Sequence, residues 1–239
     1  MSNCYPTGPI NIIHTNKNCF NKCKFSYNFK KSEVSVKNKN KYLSIKLNDK
    51  DKVSAKFSST DTPHCKNGGE SDLTVDEIRI YSPSLHTYRN NQRADGEVII
   101  MLSNVTGGRH LLVSLPIGTQ NGNMPIASGQ LTNIISYMSS SANSQGEGGE
   151  VKGLNFDLNS FIPKSKGYYS YSASLPWDAC EKCTDYLVYD KNDVVISLNN
   201  FALSKLQKMI KRDDKIKVQK SNHKNLGYAY NKRGAIPNL

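Results

Sequence analysis

The chain has 239 residues, of which 37% are hydrophobic and 22% charged, enough to bury one large core or two small ones. No apolar run is long enough to span a bilayer, and the N-terminal Met1–Pro6 lacks the apolar stretch of a signal peptide, so membrane insertion and standard secretion are not expected. The 32 basic residues outnumber 20 acidic ones for a net charge of +12, which fits a polyanionic partner (nucleic acid, sulfated glycan, acidic protein face or anionic lipid) or simply a Lys-rich solvated surface. Only 6 of the 32 are Arg, and no zinc-finger spacing or aromatic-glycine RNA-binding pattern occurs, which argues against sequence-specific nucleic-acid binding.

Period-2 alternation dominates the chain. Tyr42–Leu47 places Leu43, Ile45 and Leu47 on one face, and Val53, Ala55 and Phe57 repeat the pattern after the polar Asn48–Asp51, which predicts a β-hairpin. Strands are also expected at Glu77–Tyr81, Glu97–Leu102 and His110–Leu115. Leu131–Met138 carries apolar residues at helical spacing, and Ser139–Gly149 is a Ser/Gly-rich loop. Two more strands follow at Tyr186–Tyr189 and Val194–Ser197. A helix over Asn200–Ile210 then buries Phe201, Leu203, Leu206, Met209 and Ile210, with Asn as its start signal. The basic segment Lys205–Lys224 exposes Lys205, Lys208 and Lys211, as a solvated face or a surface for a polyanion. No internal repeat is visible. The pattern predicts a mixed α+β, mainly β, single domain over 1–239, built on a large and mainly antiparallel sheet.

The six cysteines are Cys4, Cys19, Cys23, Cys65, Cys180 and Cys183. Cys19-x3-Cys23 with Cys180-x2-Cys183 has the form of a split four-thiolate zinc site, while free thiols or one or two disulfides satisfy the same spacing.

Phe156-Asp-Leu-Asn-Ser-Phe-Ile-Pro163 followed by Tyr168-Tyr-Ser-Tyr-Ser-Ala-Ser-Leu175 resembles the C-terminal half of α-carbonic anhydrases, where F-D-(x)3-L-L-P leads to Y-(W/Y)-(S/T)-Y-x-G-S-L-T-T-P-P. Tyr186–Tyr189, Ile196-Ser197 and the helix to Ile210 continue the likeness, Gly8-Pro-Ile-Asn-Ile12 resembles the family's Q-S-P-I-N-I, and Asn231–Pro237 resembles its N-x-R-P-x-Q-P. The resemblance runs from Gly8 to about Pro237 and implies a twisted sheet of about ten strands with small peripheral helices.

Family catalysis uses three His on a zinc whose bound water ionises near neutral pH. Carried over by position, those ligands become Arg79, Tyr81 and Ile99, of which Ile99 has no donor atom and Arg79 stays protonated. Pro176 stands where the family has the hydroxyl that orients zinc-bound hydroxide, Leu85 where it has that hydroxyl's acidic partner, and Lys41 near the proton-shuttle position. The resemblance therefore implies a member without carbon dioxide hydration, with neither metal nor other cofactor. Glu97 holds the position that normally supports the third His, and an Arg79–Glu97 ion pair is expected in place of the metal's charge. His86 corresponds to a structural family His, and His14, His64, His110 and His223 show no paired spacing. Family members that mature in oxidising compartments imply a Cys4–Cys180 disulfide.

Inactive relatives of this family serve as binding modules: phosphatase ectodomains bind proteins, and a poxvirus virion surface protein binds a sulfated glycosaminoglycan through its basic former cleft. With the Lys/Asn-rich composition, this points to a large DNA virus and to a virion or host-cytoplasm location. The first expectation is a non-enzymatic virion, minor capsid or scaffold component that contacts other proteins. The second is an attachment protein holding a sulfated glycan or other polyanion through Lys37, Lys39, Lys41, Arg79, Arg89 and Arg93. The third is a divergent enzyme.

Overall fold

The computed structural model describes residues 8–19, 22–48, 53–59, 68–104, 109–119, 123–140, 149–178, 184–194, 196–219 and 226–237. Strands in chain order are β1 (Asn11–Ile12), β2 (Phe25–Phe29), β3 (Ser32–Asn38), β4 (Leu43–Leu47), β5 (Val53–Ser58), β6 (Glu70–Tyr81), β7 (Thr87–Tyr88) and β8 (Gln92–Arg93). They continue with β9 (Gly96–Asn104), β10 (His110–Gly118), β11 (Glu150–Phe156), β12 (Tyr168–Ala173), β13 (Thr184–Val188), β14 (Ile196–Ser197), β15 (Ala229–Asn231) and β16 (Ile236–Pro237). Two α-helices, α1 (Pro125–Ser140) and α2 (Asn200–Met209), and a 3-10 turn at Leu158–Phe161 complete the described elements.

The main sheet has 13 strands, with the path β11-β3-β4-β6-β9-β10-β13-β12-β15. Most pairs are antiparallel, while β10–β13, β10–β14 and β2–β16 are parallel, so the sheet is mixed. A separate small sheet joins β1, β7 and β8. Alternation divides the apolar residues between two faces. On β9, Val98, Ile100 and Leu102 join the large core under α1 and α2, whereas Ile99 joins a second cluster with Tyr81, Tyr88, Leu112, Tyr171 and Tyr186. Burial on both faces explains why the Val98–Leu102 run is apolar throughout.

The expected hairpin over Tyr42–Phe57 does not form. Strand β4 pairs with β3 and β6, strand β5 with β2 and β6, and the two run in the same direction along β6. The 12-residue β6 is long enough to take both on one edge, β4 at Ile78–Ile80 and β5 at Glu70–Thr74. Alternation fixes which face a strand buries but not its neighbour.

The periodicity at Leu131–Met138 belongs to the longer α1, which starts at Pro125, a residue suited to the first helical position, and includes Ser139 and Ser140 of the expected loop. Residues 141–148 lie outside the described set. In α2 the cap is Asn199, whose side chain accepts from Ala202 N at 2.8 Å, and Phe201 is exposed where burial was expected. Cys19 and Cys23 are joined as a disulfide just before β2, which removes two thiolates from the four-thiolate alternative. Cys4, Cys65, Cys180 and Cys183, and with them the Cys4–Cys180 bond, lie outside the described residues.

Candidate functional site

Strands β6 and β9 pair with Arg79 opposite Ile99 and Tyr81 opposite Glu97. Directly facing residues of an antiparallel pair point to one side, so these four side chains share a face, the one that carries the tyrosine-rich cluster. Arg79, Tyr81 and Ile99, the positions that the family resemblance assigns to three metal ligands, thus lie on one face. They do not fit a zinc ion. Ile99 is 1% exposed and purely apolar, the Tyr81 phenol is pushed far up by burial, and the Arg79 guanidinium stays charged. Among the described residues no three His, Cys, Asp or Glu side chains come together to hold a metal.

The expected Arg79–Glu97 ion pair is replaced by two separate arrangements. Glu97 is fully buried and accepts from the backbone N–H of Leu85 at 2.6 Å and of His86 at 3.1 Å, from His86 Nδ1 at 2.5 Å, and from the Ser114 hydroxyl. Burial pushes this carboxyl up, but His86 and the donors around it outweigh that and hold it below its ordinary value. A carboxylate only accepts, which places a proton on His86 Nδ1, while Nε2 pairs with the Tyr171 hydroxyl, 2.7 Å away. Four donors saturate Glu97, so nothing remains for a diagonal neighbour on β6.

Arg79 turns instead to Glu77, two residues back on the same face, whose Oε2 accepts from Arg79 Nε at 2.7 Å while Ser44 donates to Oε1. The guanidinium carbon lies 4.4 Å from the Tyr42 ring centroid and 4.0 Å from that of Trp177, a cation–π contact with each ring. Burial lowers the Arg79 pKa, but Tyr81 and Glu77 outweigh it and hold it above its ordinary value. With its side chain only 14% exposed, Arg79 fills the space between these rings and Glu77.

Nearby is a recess of about 10 Å³, room for one water, lined among others by Lys41, Tyr81, Leu85, Arg93 and Arg212. Lys41 Nζ donates to the Arg212 carbonyl at 3.1 Å and lies 4.0 Å from Asp213. Arg93 donates to the carbonyls of Ser84 and, at 2.9 Å, Leu85; burial and then the Arg212 charge lower its pKa. Of the six cations expected around the cleft, Lys41 and Arg93 meet here with Arg212. Arg79 is enclosed, Arg89 faces Asp190 at 3.9 Å, and Lys37 and Lys39 are half-buried and do not line the recess. The clamp residues Glu77, Tyr42 and Trp177 went unforeseen. Glu77 stands at i−2 from Arg79, a spacing that marks a shared strand face, and Trp177 is the only Trp of the chain.

No protein-family model and no curated protein sequence matches this chain. Solved structures do. Dioscorin, in a structure complexed with ascorbate, is 17% identical with a TM-score of 0.68, covering 94% of this chain and 85% of its own. The α-carbonic anhydrase of Photobacterium profundum is 13% identical with a TM-score of 0.70, covering 94% and 90%. That of Thermovibrio ammonificans, in complex with the inhibitor sulfanilamide, is 15% identical with a TM-score of 0.67, covering 92% and 86%. Identities this low carry the fold and leave activity to be argued from the site, and the chain has the α-carbonic anhydrase fold.

Proposed function

We propose that this protein is a carbonic anhydrase-like pseudoenzyme that does not hydrate carbon dioxide and works as a virion or scaffold component through contacts with other proteins. The observation that carries this reading is Arg79, clamped between Tyr42 and Trp177 on the face that carries the three positions assigned to metal ligands. Zinc-hydroxide chemistry needs donor atoms, an open coordination position and room for substrate. The Arg79–Tyr81–Ile99 set supplies no such donors, and the clamp fills the room. The same filling counts against a divergent enzyme using this cleft, and it leaves the outer surface as the working part of the molecule.

A second reading, binding of a sulfated glycosaminoglycan or another polyanion, is favoured by the crowding of Lys41, Arg93 and Arg212 around one recess with Asp213 beside them. Retention on immobilised heparin across a salt gradient separates the two, comparing wild type with Lys41→Glu/Arg212→Glu. Weak retention, or retention indifferent to the double variant, supports a protein-contacting scaffold whose charge is mostly solvation. Tight, salt-sensitive retention that the variant loses makes polyanion binding the function and overturns the first reading.

A further inference from the structure

Helix α1 stands apart from the rest of this surface. Between Arg109 and Glu147 the chain carries no Asp, Glu, Lys or Arg, in a protein of net charge +12. For the central strand β10 this follows from burial, but α1 is a surface helix. Its inner face, Ala127, Leu131, Ile134, Ile135 and Met138, packs on the core, while Ile126 is 66% and Tyr137 54% exposed and Gly129, Asn133, Ser136 and Ser140 are exposed beside them. The other surface helix, α2, presents Lys205 and Lys208. Surfaces that remain in water are normally rich in mixed charge, and depletion of charge with an exposed Tyr marks the centre of a protein contact.

Two further features of this face select its partner. Ile126, Gly129, Asn133, Ser136 and Ser140 lie in one row at 3-4-3-4 spacing on the exposed side, a strip of mostly small, uncharged side chains against which a second helix can lie closely. A Cβ built on Gly129 meets nothing within 4 Å, so the strip has a notch there, and Tyr137 projects two turns away. Placed antiparallel about a twofold axis through Asn133, two copies of α1 set each Tyr137 over the partner's Gly129 and each Ile126 beside the partner's Ser140. This is the reciprocal contact that an isologous dimer requires. Charge points the same way: an acidic partner would be met by lysines, whereas two copies at +12 repel least through a face without charge, and a Debye length of about 8 Å screens what lies beyond.

We infer that the outer face of α1 is a homodimer contact, closed by antiparallel α1–α1 packing about Asn133. The helix is about 24 Å long, less than the roughly 800 Å² per partner of a standard interface demands, so the contact spreads into the uncharged groove of about 300 Å³ beside it, lined by Asn133, Tyr137, Gly153 and Leu154 among others. A reversible dimer in the micromolar range is expected.

Sedimentation velocity over low to high micromolar concentrations tests this with the full chain. Wild type is expected to shift from monomer to dimer. Asn133→Arg, which opposes two guanidinium groups across the axis, and Tyr137→Ala, which empties the notch, are expected to raise the dissociation constant tenfold or more. Lys208→Glu on α2 is expected to leave it unchanged, and circular dichroism checks that each variant is folded. A wild type that stays monomeric throughout overturns the inference and leaves this face to a different protein. A dimer that Asn133→Arg and Tyr137→Ala leave intact, or that Lys208→Glu disrupts as strongly, places the interface elsewhere and overturns it equally.

Discussion

Replacing Arg79 by Ala removes the guanidinium held between Tyr42, Trp177 and Glu77, and the structure sets the size of the effect. Two cation–π contacts at 4.0 and 4.4 Å around a side chain that is 14% exposed contribute roughly 0.5–2 kcal/mol each. The 2.7 Å bond to Glu77 adds about 1.5–3 kcal/mol as a charged hydrogen bond. Relief of the desolvation borne by the guanidinium offsets part of this, and neighbouring terms do not add fully, so Arg79→Ala is expected to destabilise by about 2–4 kcal/mol. That is a large share of a typical stability of about 5–15 kcal/mol. Trp177 is the only Trp and is 36% exposed, so emission excited at the red edge, where the 13 Tyr do not absorb, reports on the clamp. Urea unfolding followed by fluorescence and far-UV circular dichroism is the assay, with urea chosen because guanidinium would screen the ion pair. Arg79→Ala should show a lower midpoint and a red-shifted native emission as the indole gains water. Arg79→Lys, which keeps the charge but loses the planar guanidinium, should lie between Ala and wild type. An Arg79→Ala protein within about 0.5 kcal/mol of wild type, with unmoved emission, would refute the clamp.

Glu97→Gln is expected to cost roughly 1–3 kcal/mol at neutral pH, read by urea unfolding, because it disturbs four donors aimed at a buried carboxylate. Since the folded-state pKa of Glu97 lies below its ordinary value, its contribution is fully present above the unfolded-state pKa and is lost as pH falls through the folded one. Stability measured against pH should therefore fall less steeply on the acid side in Glu97→Gln than in wild type. Arg109→Met should cost about 3–5 kcal/mol, since the Asp185 carboxylate, bound through Arg109 Nε at 2.5 Å and Nη2 at 3.1 Å, is left buried with a lost counter-charge. Adding Asp185→Asn should recover part of that loss in the same unfolding measurement.

Much of this architecture is legible in the sequence because it rests on short-range pattern. Alternation marks the face of β4 and β6, a continuous apolar run marks β9, and the Phe156–Leu175 phrase leads to the fold that the solved structures share. Strand neighbours are less legible. The Tyr42–Phe57 segment has the pattern of a hairpin, yet whether two successive strands pair or queue along a third depends on the length of β6, a property of residues further down the chain. At the site, the positions that share a face can be read from the spacing of Arg79, Tyr81 and Ile99, but the ion-pair partner cannot. Glu97 is taken by His86 and Ser114, the latter from β10, and Arg79 by Glu77 and two rings from distant segments. Such competition among donors and acceptors is settled in three dimensions, where each buried charge goes to the group that satisfies it at the lowest desolvation cost.

The most direct test of the account is zinc loading followed by stopped-flow carbon dioxide hydration on the wild-type chain. The protein would be incubated with excess zinc, passed through gel filtration, assayed for bound metal, and compared with buffer in the hydration reaction with and without sulfanilamide. With Arg79, Tyr81 and Ile99 at the positions assigned to metal ligands, the account predicts no sulfanilamide-sensitive rate above buffer and no zinc whose retention changes when Tyr81 is replaced by Phe. One equivalent of zinc held at that face, together with hydration that sulfanilamide suppresses, would contradict it.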